Sequence, residues 1–180
     1  MKILVIIPAK LDSKRLPNKN ILDINGKTLV EYSIDYAKQC KYDTDIIISS
    51  ESDLLKIIAD NHSIKFHKRN ITLCGDAEVV DVYISVVNEI LESYDLVVGL
   101  QPDNPDRDYT LTECIDYMLN NNYDDLITVN SSYKRSGSVR IFKYNYLKHS
   151  MVSKRIGCLK DSATDIHYES DLNLVKLKLQ

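Results

Sequence analysis

Residues 2–20 read KILVIIPAKLDSKRLPNKN, and the fold is decided by how this stretch is read. Lys2 to Ile7 is an almost unbroken apolar and β-branched run, which suits a strand covered on both faces of a parallel sheet. Pro8 cannot donate to a central ladder, so the strand ends there. Lys10, Lys14, Arg15 and Lys19 then place four cations within ten residues. Pro17 prevents a helix through them by removing a backbone donor and pushing Leu16 out of the α region. A cationic loop between a buried strand and a following helix is where open α/β sheets bind anions such as phosphate. The loop contains no glycine, so it is neither a GxGxxG turn nor a Walker loop, and side chains must supply most of the grip. A merely solvated basic loop is the alternative.

Composition narrows the function. With 180 residues and 44% hydrophobic content, the chain is expected to form one domain, 1–180, around one good core. A net charge of −3 argues against general nucleic-acid or membrane-surface binding, although handling a single nucleotide remains compatible. Cys40, Cys74, Cys114 and Cys158 lie more than thirty positions apart and read as small apolar residues in a reducing compartment. No run approaches membrane-spanning length, and the apolar run before Pro8 is too short for a signal peptide. A cytoplasmic protein is expected.

Further strands are predicted at 45–49, 64–67, 96–100, 126–129 and 139–142, with a short last one at 156–159. Helices are expected at 28–39, where Thr28 and Glu31 form a capping box, and at 52–60, 77–93 and 110–119. Residues 143–161 resist assignment. Arg69 and Asp76 follow the third strand; they are either a surface arginine and a helix cap or part of the phosphate site. Pro102 and Pro105 end the fourth strand and turn Gln101 and Asp103 out over the same sheet edge, if the strands are parallel.

IPAKLDSKRLPNKN (7–20) resembles the signature IPAR-x-x-S-K/T-R-x-P-x-K-N of the cytidylyltransferases that activate sialic acid, 3-deoxy-manno-octulosonate and related ulosonic acids as CMP-sugars. The resemblance implies an α/β, Rossmann-like three-layer nucleotidyltransferase fold with a mostly parallel sheet. It also implies that Ala9, Lys10, Ser13, Arg15, Lys19 and Asn20 line a CTP site. Lys10 stands where the family usually has Arg, exchanging a bidentate fork for a point charge. Arg69 to Asp76 is similar to R-P-x-x-L-A-x-D, which would place Arg69 and Asp76 beside the nucleotide. LQPDNPDR (100–107) resembles LQPTSPLR in frame, implying that Gln101 and Arg107 bind the acceptor sugar. Asp103 looks instead like the metal-binding Asp of the octulosonate branch.

Residues 161–172 are similar to S-x-D-I-D-T-x-x-D-L. Asp165 matches the first metal-binding Asp and Asp171 the helix-proximal one, while His167 replaces the second Asp and reads rather as a surface or packing histidine, since imidazole is a poor ligand for Mg²⁺. The resemblance thus implies Mg²⁺ held by Asp103 and Asp165, with Lys10, Arg15, Lys19 and Asp165 carrying the chemistry. The partners implied are CTP and a small acidic sugar. Residues 130–138 are much shorter than the family's segment between its fifth and sixth strands, so most of the dimerisation insertion is missing and a homodimer is left open. A nucleotidyltransferase acting on a phosphosugar or polyol phosphate, and a non-catalytic nucleotide-binding relic, are the competing readings.

Overall fold

β1 (Lys2–Pro8) is buried on both faces. Ile3, Val5 and Ile7 enter one hydrophobic cluster, while Leu4 and Ile6 enter another. The computed structural model, which describes residues 1–75 and 77–180, builds the chain around this strand. Then come a hairpin of β2 (Asp23–Ile24) and β3 (Lys27–Thr28), α1 (Leu29–Lys38), β4 (Asp43–Ser50), α2 (Asp53–Asn61) and β5 (Lys65–Lys68). The second part contains α3 (Val79–Glu89), β6 (Leu96–Gly99), α4 (Leu111–Asn120), β7 (Asp125–Val129), β8 (Arg135–Lys143), α5 (Tyr144–Lys148), β9 (Ile156–Lys160) and α6 (Glu169–Lys178).

The main sheet has seven strands in the order β5-β4-β1-β6-β8-β7-β9. Its neighbours pair in parallel except where β8 meets β6 and β7. The chain winds outward from β1 through β4 to β5, then returns to place β6 on the other side of β1. That reversal opens a crevice beyond the carboxyl ends of the strands. Helices α1, α2 and α4 cover one face, through side chains such as Ile34, Leu55 and Ile115. Helices α3 and α5 cover the other, through Val86, Val87 and Leu147. The expected three layers follow directly from the two-sided burial of β1. A third cluster of Ile24, Leu29, Ile166, Leu172 and Val175 fastens the hairpin and α1 to α6.

Local signals operate as read. The Thr28 hydroxyl accepts from the Glu31 amide while the Glu31 carboxylate accepts from the Thr28 amide, and Thr110 with Glu113 repeats the arrangement at α4. Two elements differ from expectation. The helix expected over 77–93 spans only Val79–Glu89, because Ile90 turns extended and packs on the core while Leu91 is fully exposed. The sixth strand is longer than expected and antiparallel to its neighbours. The turn before it is closed by Tyr133 N–H donating to Asn130 O at 2.9 Å and Asn130 N–H donating to Lys134 O at 2.8 Å. So short a connection makes a hairpin, since a parallel crossover needs a dozen or more residues.

Candidate active site

Side chains from three separate loops meet in a cleft of about 300 Å³ at the crevice. The loop after β1 contributes Lys10, Ser13, Lys14, Arg15, Lys19 and Asn20; the segment after β5 contributes Arg69, Leu73 and Gly75; the turn after β6 contributes Gln101, Pro102 and Asp103. Val79 and Val82 of α3 form its apolar side. Of the described residues nominated for the nucleotide, only Ala9 stands apart from this lining. Ala9 is buried beneath the cleft, its amide bonded to Ser49 O at 3.1 Å, and Asp76 lies outside the described residues.

Several of these side chains shape the loops as well as face the cleft. Lys10 Nζ donates to Gly75 O at 2.8 Å, tying the first loop to the second. Asn20 Nδ2 donates to Lys10 O at 2.8 Å, and its buried Oδ1 has no partner among the described residues. Arg69 is buried and donates through Nη2 to Ser49 O at 2.6 Å, bracing the ends of β1 and β4. Burial pulls its pKa below the ordinary guanidinium value. Arg15 is exposed, its guanidinium 6.0 Å from the Tyr168 ring centre. Tyr168 went unnoticed in the sequence because nothing local marks it.

Lys19 departs from the picture of a free cation on the cleft wall. It is buried, and Nζ donates to Asp103 Oδ2 at 2.5 Å and to Ile166 O at 2.7 Å. An ammonium has three donors, so one remains for a ligand. Asp165 pairs with His167 Nε2 at 2.9 Å. Burial pushes the Asp165 carboxyl up, His167 pulls it back, and the Asp103 charge pushes it further up. The two carboxylates nominated for metal are therefore electrostatic neighbours. Asp171 is not among them: its Oδ2 accepts from the amides of His167 at 2.9 Å and Tyr168 at 2.8 Å, capping α6. Those bonds hold its pKa low.

The acidic residues around Asp103 stitch two segments together. Thr164 N–H and Oγ1 donate to Asp106, both at 2.8 Å; Ser162 N–H and Oγ donate to Asp108 at 2.6 and 2.7 Å; Ile166 N–H donates to Asp103 O at 3.0 Å. Residues 161–167 are thereby laid along the turn after β6, which brings Asp165 to the site.

A second pocket of about 560 Å³ adjoins the first, with Gln101 and Val79 common to both. Tyr83, Ile127, Arg135, Ser136, Gly137, Arg140 and Asp165 are among its lining residues. Arg140 pairs in a fork with the buried Asp125, whereas Arg135 is exposed. Neither arginine was singled out in the sequence, although a cation inside the apolar run Val139-Arg140-Ile141 is an available signal. Arg107, expected on the acceptor, lines neither pocket. It points into the protein, where Nη2 donates to Gln101 O at 2.8 Å and Nε to Ser138 O at 3.1 Å. Two carbonyls and the face of Tyr36 hold this cation there, although its buried Nη1 has no hydrogen-bond partner among the described residues and burial pulls its pKa below the ordinary guanidinium value.

A family profile described as "Cytidylyltransferase" matches residues 4–171. The chain belongs to the cytidylyltransferases. N-acylneuraminate cytidylyltransferase of Escherichia coli is 32% identical over 141 residues, covering 77% of this chain and 34% of that protein. Pseudaminic acid cytidylyltransferase of Campylobacter jejuni is 34% identical over 110 residues, covering 58% and 47%. The matched parts thus span a third to a half of these curated cytidylyltransferases. Among solved structures, CMP:2-keto-3-deoxy-manno-octonic acid synthetase complexed with CTP superposes with a TM-score of 0.75 at 13% identity, over 99% of this chain and 98% of that one. The 4-diphosphocytidyl-2C-methyl-D-erythritol synthase of Anaerococcus prevotii gives 0.67 at 14%, over 99% and 96%. At such identities these two establish a cytidylyltransferase fold and nothing finer.

Proposed function

We propose that this chain transfers CMP from CTP to a hydroxyl of a 3-deoxy-2-ulosonic acid, releasing pyrophosphate. The observation that carries the reading is the adjacency of two pockets: a cationic one from the loops after β1, β5 and β6, lined by Asp103, and a second, joined to it at Gln101 and Val79, lined by Asp165. The acceptor hydroxyl attacks the α-phosphorus, the bond to the pyrophosphate oxygen breaks, and the hydroxyl proton is lost to solvent. Lys10, Arg15 and the third donor of Lys19 stabilise the charge that grows on the leaving group. Arg135 and Gln101 orient the acceptor, the arginine by pairing with its carboxylate.

Asp103 and Asp165 are the residues that would hold Mg²⁺. Two neighbouring carboxylates, one of them raised by burial and by the other's charge, are suited to a hard divalent cation. Among the described residues no cluster of three or more such ligands exists, so phosphate oxygens and waters would complete the shell. When bound, Mg²⁺ supplies charge neutralisation across the phosphates.

The test is pyrophosphate release from CTP and Mg²⁺ with N-acetylneuraminate, 3-deoxy-manno-octulosonate or pseudaminate. One acid is expected to turn over, and Asp103→Ala and Asp165→Ala to lose roughly 100-fold in kcat or more. Full activity in both variants would remove the metal assignment, and no release with any acid would remove the acceptor class. The short turn over 130–134 and the exposed Arg135 favour a second reading, an acceptor phosphate such as a polyol phosphate. Turnover of that acceptor alone would establish it, and CTP binding without turnover of anything would make the chain a non-catalytic relic.

A further inference from the structure

Gln101 is, with Val79, common to the two pockets, and its side chain is seated where residue 137 lacks one. Gly137 has φ +77°, and a Cβ built there would lie 2.4 Å from Gln101 Nε2 and 2.9 Å from its Cδ. Real Cβ atoms do not approach that closely, so a Cβ at 137 would push the flexible Gln101 amide out of this seat, while the positive φ favours glycine in its own right. The main chain on each side is held by one guanidinium. Arg107 donates to Gln101 O on the turn after β6 and to Ser138 O on β8, with its carbon 4.7 Å from the Tyr36 ring centre. Ser138 Oγ in turn donates to the buried Asp161, which also accepts from the amides of Asp108 at 3.2 Å and Ala163 at 3.0 Å.

We propose that Arg107 and Gly137 are positioning residues for Gln101. Arg107 fixes the separation of the β6 turn from β8, and Gly137 fixes the direction of the Gln101 amide across the border between the pockets. A primary amide offers two donors and one acceptor, so in this seat it is preset for the hydroxyl and carboxylate groups of a polar acceptor. Ordering that side chain in advance removes an entropic cost from acceptor binding. Lysine cannot replace Arg107, because a point charge does not hold two carbonyls in a fixed fork. The inference rests on the CMP-transfer reading for its consequence, although the seating of the amide does not.

Two readouts keep these apart. The first is the Gln101 side-chain amide resonance in ¹⁵N-labelled protein, identified as the signal missing in Gln101→Ala. The second is KM for CTP and for the acceptor acid that turns over, with the thermal midpoint recorded for each variant. In Gly137→Ala and Arg107→Lys the resonance is expected to move, and the acceptor KM to rise about five-fold or more while the CTP KM stays within about two-fold. Gly137→Ala should leave the acceptor KM unchanged when Gln101 is already alanine, even though backbone strain lowers the midpoint in both backgrounds. An unmoved resonance, or equal increases in both KM values, overturns the positioning. A wild-type chain that turns over no acid overturns the transfer reading, and the resonance alone then decides the seating.

Discussion

Lys19 lines the cleft and at the same time anchors two of the segments around it. Its ammonium is buried against Asp103 and the Ile166 carbonyl, and removing one partner of such a pair leaves an uncompensated charge. Lys19→Met is therefore expected to destabilise the fold by about 3 kcal/mol. In Lys19→Met with Asp103→Ala most of that loss should return, as no charge is then stranded. Urea unfolding of the two variants decides it, and a cost below about 0.5 kcal/mol in the single variant would class the pair with solvated surface ion pairs. Lys19 and Asp103 stand out in the sequence through the motifs that carry the family resemblance. The sequence did not expose that they are each other's partner, because eighty-four positions separate them.

Between elements, Asp124 is the joint where β7, β8 and β9 meet. Its amide donates to Arg155 O at 2.8 Å, its carbonyl accepts from Lys143 N–H at 3.0 Å, and its carboxylate pairs with Lys143 at 2.8 Å and Arg155 at 3.1 Å. The Lys143 hydrogen bond chiefly, helped by Arg155, holds its pKa at about 2, below the ordinary 3.8. A depressed acid stabilises the fold above its unfolded value, and that stability is lost as pH falls through the folded one. The difference in urea midpoint between wild type and Asp124→Asn should accordingly be full above pH 4 and shrink from pH 4 towards 2. A difference independent of pH would mean that the carboxylate charge is not what fastens the strands. Helix starts at Thr28 and Thr110 are legible in sequence because a capping box is local. The attachment of β9 is not, as its ties come from Asp124 and from pairing with β7.

At the scale of the molecule, the cationic cleft exists only when the loops after β1, β5 and β6 are brought to one edge. A nucleotide spanning all three should stabilise the whole fold. CTP at about 100 times its Kd adds about 2.7 kcal/mol, which corresponds to a rise in Tm of roughly 5–10 °C for a chain of this size. Scanning calorimetry over a CTP series checks it, and an unchanged Tm across the series would mean that the native fold does not bind CTP. The sheet edge was legible because the apolar runs 2–7, 45–49 and 96–100 each stop at a polar loop, which is a property of neighbouring residues. The second pocket was not, because Arg135, Gly137 and Arg140 meet Gln101 only through the antiparallel return of β8.

By itself the sequence determined the buried strands, the capped helices and the cationic loop after the first strand, since periodicity, caps and proline act over a few residues. Only the tertiary structure decided that Arg107 faces inward, that Asp171 caps a helix and that Asp106 and Asp108 lay residues 161–167 beside Asp103. Charged side chains of one type can grip a ligand or a carbonyl, and which they meet depends on chain segments far away in sequence.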